Sequence, residues 1–406
     1  MFYGWWIVGV AILGQAVGIG ASTYSYGLLV IPISSELGAN RMEMMLGFTA
    51  GSVLSATYAP YLGSLVDRRS MRLLMAIGSC SLGLSLVLIS CVTNVWEFIA
   101  AFAFFFPVYY NLLGSLGSNA LVSRWFSRNL GKAISLTALG TSFGGLVIPY
   151  LFQNLIDALG WRSACVCLGV GCVVLSLPPI LWLIKDRPAD IGLQPDGEQP
   201  LTLTKVRTTN HTKPPTVVEN LLAHGPFWRI AMAVGAMSAG YMAVVANLVP
   251  YALGRGVTSG AASILVSMIA IAGIVGKLCF SFIADRVNLK HVMIVAMALI
   301  SGLLVALVLF DGYAVMVIAS VALGLASGGL LPAWGALLAR IYGPLCYGRV
   351  MGRMLPISIA MIIIATPLTG YLYDKTGSYS LAFSMLAGAI AIAAVNLLPL
   401  SLKPAE

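Results

Sequence analysis

Charge is what this chain has least of. Only 9% of its 406 residues are Asp, Glu, Lys or Arg, while 59% are hydrophobic and the mean hydropathy is +0.93. A water-soluble fold has no means of hiding that much apolar surface. All fourteen acids can be assigned to loops or helix ends, and the three histidines, His211, His224 and His291, fall in a hydrophilic stretch or at a membrane boundary. A membrane-embedded enzyme needs a nucleophile–base pair or a metal cluster at depth. A proton-driven carrier of neutral or cationic solutes ordinarily needs an intramembrane carboxylate or histidine. The sequence offers neither. Its seven cysteines, mostly in apolar runs, form no C-x-x-C pair and no disulfide framework. No Walker-type loop is present, so direct drive by ATP is not expected, and neither is any cofactor. Short alternating segments of the kind that build a β-barrel are missing as well.

What is there is apolar and long. Runs of about 20 residues, enough to cross a hydrocarbon layer of about 30 Å as helices, recur along the chain. Twelve helices are expected, starting near residues 5, 42, 71, 96, 130, 162, 228, 260, 291, 313, 349 and 378. The first run, Trp5 to Ile33, is too long for the hydrophobic part of a signal peptide and has no basic residue before it, so it is expected to be retained. With both ends in the cytoplasm, the loops there take nearly all of the 23 Lys and Arg residues; the opposite side takes only Arg41, Arg162, Arg255 and Lys375. Such a bias is the positive-inside rule. The net charge of +9 therefore reports topology, and no nucleic-acid partner is implied. The lipid bilayer, in the plasma membrane or bacterial inner membrane, is the expected surrounding, with the protein a monomer.

One hydrophilic stretch, 185–227, divides the helices six and six, giving bundles over 1–184 and 228–406. Its Thr, Pro and charge content reads as a cytoplasmic linker. The halves look like copies: Gly63-x-x-x-Asp67-Arg68 returns as Ser281-x-x-x-Asp285-Arg286. Pro32 with Pro250, Gly131 with Gly348, Pro149 with Pro367 and Asp157 with Asp374 keep an offset of 217 or 218 residues. Repeated halves imply a binding site between them near mid-membrane, and alternating access.

Gly63-x-x-x-Asp67-Arg68-Arg69-x-x-Arg72 resembles the hallmark loop of the major facilitator superfamily, with Ser70 and Met71 departing from it. Tyr3-Gly4-Trp5, Arg124-Trp125-Phe126 leading to Gly131-Lys132-Ala133, Asp186-Arg187-Pro188-Ala189-Asp190-Ile191-Gly192-Leu193 and Gly348-Arg349-Val350-Met351-Gly352 are similar to its monocarboxylate and organic-anion porter branch. The resemblance implies an all-α polytopic membrane protein, with twelve transmembrane helices in two pseudo-symmetric six-helix bundles. It also implies small organic acids as substrates, carried with protons or exchanged for other anions. Relatives often have arginine where Lys277 stands and histidine at Asn247. Lysine keeps the charge but loses the bidentate fork.

Lys277 is the charged side chain that must lie at membrane depth, and such residues usually face a protein interior or watery cavity. Ser263, Ser267, Ala270 and Ser281 share its helix face. Snorkelling to the headgroups or a bond to a backbone carbonyl are the alternatives. Asn111 and Asn247 each need a partner at depth and are candidates to line the path. Tyr26 and Tyr110 stand beside stripes of small residues, which are more often packing positions. Trp334 could wall the cavity or simply pack. Arg353 reads first as a snorkelled charge; turned inward, it would be a second cation suited to a dianion. Gly63, Asp67, Arg68, Asp285 and Arg286 are read as the elements that hold one access state. The runner-up is a copper or small-cofactor importer using Cys165, Cys167 and Cys172 with Met232, Met237, Met242 and Met268; a receptor without transport is the remaining class.

Overall fold

The computed structural model describes residues 2–39, 41–197 and 221–399. Lys205, Arg207, His211 and Lys213 lie outside the described residues, as does the Ser263 side chain. Two compact units are formed: Met1–Pro214 with Pro344–Arg353, and Pro215–Gly343 with Met354–Glu406.

The first unit contains α1 (Gly4–Ile19), α2 (Tyr26–Leu37), α3 (Arg41–Arg68), α4 (Met71–Ser90), α5 (Val95–Leu113), α6 (Ser115–Trp125) and α7 (Leu130–Leu183). Three of these boundaries have local causes. A π-helical segment, Gly20–Tyr24, interrupts the first span, where Ser22 Oγ donates to Gly18 O and Ser25 Oγ to Gly20 O. Gly114 leaves helical geometry and separates α5 from α6, and Ser118 Oγ donates to Leu113 O at 2.8 Å. In both breaks a hydroxyl takes up a carbonyl that hydrocarbon cannot satisfy. Gly160, at φ 76°, turns the 54-residue α7 back on itself, so that α7 is two membrane spans.

The second unit contains α8 (Gly225–Gly254), α9 (Ser259–Ile283), α10 (Leu289–Leu309), α11 (Tyr313–Tyr342), most of α12 (Tyr347–Thr376) and α13 (Ser380–Leu397). Thr258 caps α9 and Asn288 caps α10, each accepting a backbone N–H of the first turn. With α1–α2 and α5–α6 each counted as one interrupted span and α7 as two, the described residues form twelve membrane-spanning helices. Their starts fall within three residues of the expected ones. Of the twelve spans, α3 is the least apolar, yet carries no charge between Glu43 and Asp67.

Two features depart from the expected division of the chain. The stretch from Lys185 to Gly197 is tied into the first unit instead of hanging as a connector. Asp186 Oδ1 accepts from the Met71 and Arg72 N–H groups at the start of α4, and Trp125 Nε1 donates to Lys185 O. Residues 344–353, in the second half of the sequence, belong to the first unit, because Gly63, Gly348 and Gly352 let backbones touch there.

Candidate functional site

In the second unit, α9 and α11 run parallel and share a glycine-lined seam. A Cβ on Gly324 would strike Ile269 O, and one on Gly328 would strike Gly273 O and come within 3.0 Å of the Lys277 N. Gly276 meets Leu325 O in the same way. Only residues without side chains allow helix backbones this close. Lys277 sits on this seam and is 9% exposed, far less than a side chain stretched along the lipid-facing surface would be. One turn on, Ser281 Oγ donates to Leu278 O at 2.7 Å. Trp334, on α11, is 3% exposed and its Nε1 has no hydrogen-bond partner among the described residues. Asn247, on α8, is 9% exposed and donates through Nδ2 to Ala243 O at 2.8 Å.

In the first unit, Tyr26 and Tyr110 are joined through an aromatic run. The Tyr26 ring lies 4.7 Å from Phe102, Phe102 lies 5.1 Å from Phe106, and Phe106 stacks on Tyr110 at 4.8 Å. The Tyr26 hydroxyl donates to Met44 O, so it ties α2 to α3. Asn111 Nδ2 donates to Ser55 Oγ and to Pro107 O, both at 2.8 Å, while its buried Oδ1 has no partner among the described residues.

At the end of the first unit, Asp67 accepts from Gly348 N at 2.8 Å and Arg349 N at 2.9 Å, with Arg349 Nε at 3.3 Å. Gly63 is buried beside Gly348 and Gly352. In the second unit, Asp285 pairs with Arg340 Nη2 at 3.2 Å. The acids' partners are thus Arg349 and Arg340, whereas Arg68 and Arg286 are exposed. Arg353 is half-buried in the segment that packs with the first unit.

The soft-ligand set does not gather. Cys165, Cys172 and Met237 are buried, while Cys167, Met232 and Met242 point to exposed faces. Among the described residues, no three His, Cys, Asp or Glu side chains lie together as a metal site would require.

Arg340 and the Gly324-x-x-x-Gly328 seam are not among the residues that stand out in the sequence, and Arg349 stands out only as part of the Gly348–Gly352 motif, not as the partner of Asp67. The seam does have a signal there, small residues four apart in an apolar run. The pairing of the two arginines with these acids has none, because contact across 282 and 55 residues is not a local pattern.

Taken together these features define a multi-pass, all-helical membrane protein with six spans on either side of a hydrophilic stretch. The chain matches the Major Facilitator Superfamily profile over residues 10–310 and 243–406, and it belongs to that family. Monocarboxylate transporter 13 of Rattus norvegicus is 28% identical over 284 residues, 69% of this chain and 61% of the relative. Monocarboxylate transporter 12 of Mus musculus is 26% identical over 299 residues, 68% of this chain and again 61% of the relative. The chain is thus matched to about 61% of the length of these relatives. Among solved structures, the human organic anion transporter MFSD10 superposes with a TM-score of 0.73 at 14% identity, covering 97% of this chain and 99% of that one. The fucose:proton symporter FucP of E. coli, in its outward conformation, gives 0.70 at 16% identity over 97% and 98%. At these identities the likeness is one of fold.

Proposed function

We propose that the protein is a secondary transporter of small organic anions, mono- or dicarboxylates, that exposes its site alternately to the two sides of the membrane. Lys277 carries this reading. It is a cation held 9% exposed on a glycine-lined helix seam, in a span with no other charged residue. Placing an ammonium at that depth costs a few kcal/mol, which an anionic substrate offsets each time it binds. The names of the relatives, monocarboxylate transporters, agree with that chemistry.

In the second unit, Trp334 and Asn247 form the remaining wall beside Lys277. Tyr26 and Asn111, with their donors committed to Met44 O, Ser55 Oγ and Pro107 O, act by holding α2, α3 and α5 in place. Arg353 supplies a second positive charge where the substrate is a dianion. Asp67 with Arg349, and Asp285 with Arg340, fix the helix ends that must move as rigid pieces. Coupling runs through the substrate's acid proton or by anion exchange. Both termini lie in the cytoplasm, on the positive-inside bias.

The test is counterflow in proteoliposomes, preloaded with a panel of carboxylates and matched neutral analogues. Uptake restricted to anions supports the reading, and uptake of neutral solutes alone refutes it.

A further inference from the structure

We propose that the groove between α10 and α13 is a binding site for one anionic phospholipid of the surrounding bilayer. The groove is open, has a volume of about 360 Å³, and is lined by Ile294, Ala298, Ser301, Ala391, Val395 and Leu398. Small residues face each other at helical spacing on the two helices, so a channel is left where larger side chains would have met. Two ties mark its ends: Lys290 Nζ donates to Leu398 O at 2.9 Å, and Ser301 Oγ donates to Ala387 O at 2.9 Å. Both helices advance eleven residues between the ties, in opposite directions. At 1.5 Å per residue the groove is roughly 16 Å long. That is about half of the roughly 30 Å hydrocarbon layer, the depth of a single leaflet.

The chemistry of the ends decides the occupant. The Ser301 end is apolar and at mid-membrane depth. The Lys290 end lies at the start of α10, where Lys290 is joined by exposed Arg286 and His291 and by the positive end of the helix dipole. An acyl chain along the groove brings its phosphate to this basic cluster, and basic clusters at helix ends favour anionic headgroups. A second copy of the chain on a twofold axis would set this cluster against its own image, which like-charge repulsion opposes.

The experiment uses the full chain in nanodiscs of phosphatidylcholine with increasing phosphatidylglycerol, read by native mass spectrometry of lipid retained after release. The wild type is expected to keep phosphatidylglycerol in preference to phosphatidylcholine. Lys290→Gln with Arg286→Gln should reduce that preference by about thirtyfold, the effect of two cationic residues at about 1 kcal/mol each near a charged membrane surface. Lys290→Arg should retain it. Ala391→Phe, filling the groove, should lower retention of both lipids while leaving thermal stability in pure phosphatidylcholine unchanged. Equal retention of the two lipids by the wild type overturns the proposal. So does a preference that survives both the double substitution and Ala391→Phe, or a dimer cross-linked through Val395→Cys in place of retained lipid.

Discussion

The Asp67 carboxylate grips Arg349 twice, taking its backbone N–H at 2.9 Å and its Nε at 3.3 Å, while also accepting the N–H of Gly348. The carboxylate is 2% exposed and Arg349 19%. One acid therefore caps the start of α12 and neutralises the arginine that follows it. Removing the acid strands a part-buried guanidinium and two N–H groups. Breaking such a pair costs about 3–5 kcal/mol. Asp67→Ala should lower the unfolding temperature in detergent and abolish transport. Arg349→Ala, which leaves the carboxylate its two backbone donors, should cost less. A wild-type melting curve for Asp67→Ala contradicts this account.

Lys277 tests the substrate assignment directly. Lys277→Ala should abolish carboxylate transport while the folded protein is recovered in normal yield, since removing a desolvated charge relieves a cost as well as a contact. Lys277→Arg keeps the positive charge and should keep measurable transport, with a changed preference because the planar fork accepts carboxylates bidentately. Normal uptake by the alanine variant ends the assignment.

Most of the architecture was legible in the sequence because hydrocarbon imposes a simple rule. A span must be long and apolar, and the loops must carry the charge. The break between the fifth and sixth spans, expected near residue 162 and found at Gly160, followed from that pattern alone. The residues that act across distance did not. Tyr26 was visible as a polar ring beside a small-residue stripe, but its donation to Met44 O and its place in the run to Tyr110 depend on how α2, α3 and α5 pack. Likewise Asp67 and Asp285 were legible as a repeated signature, whereas their partners Arg349 and Arg340 were not. The docking of Lys185–Gly197 was hidden by its composition, since Pro, Asp and Gly serve flexible connectors and tight caps equally well.

The seam that holds Lys277 predicts its own sensitivity. A methyl group on Gly328 would lie well inside contact with Gly273 O, and both are backbone positions that cannot rotate away. Overpacking of this kind costs about 1–3 kcal/mol. Gly328→Ala should therefore lower the unfolding temperature and reduce transport, although it removes no polar group. Gly302→Ala, on α10, where a Cβ would meet nothing within 4 Å, is the control and should behave as wild type. Equal behaviour of the two variants would falsify the close approach.

Asp196 predicts a pH dependence outside the membrane. Its carboxylate accepts from the Arg128 N–H at 2.6 Å, from Ser127 N and Oγ at 2.7 and 2.8 Å, and from Asn129, just ahead of α7. Partial burial opposes ionisation, but these donors outweigh it, led by the N–H groups of Arg128 and Ser127, and the group titrates below the usual carboxylate range. The unfolded value is about 3.9, so the stabilisation is fully present above that pH. It is lost as pH falls through the lower folded value. Asp196→Asn removes the charge at every pH. The wild type should therefore melt above the variant at neutral pH, and the gap should close on acidification below about pH 4. Hydrogen exchange at Ser127, Arg128 and Asn129 should follow the same course, with the three amides protected in the wild type near neutrality and exposed in the variant. Faster exchange in the variant that persists undiminished at low pH would assign the protection to shape alone and not to the ionised carboxylate.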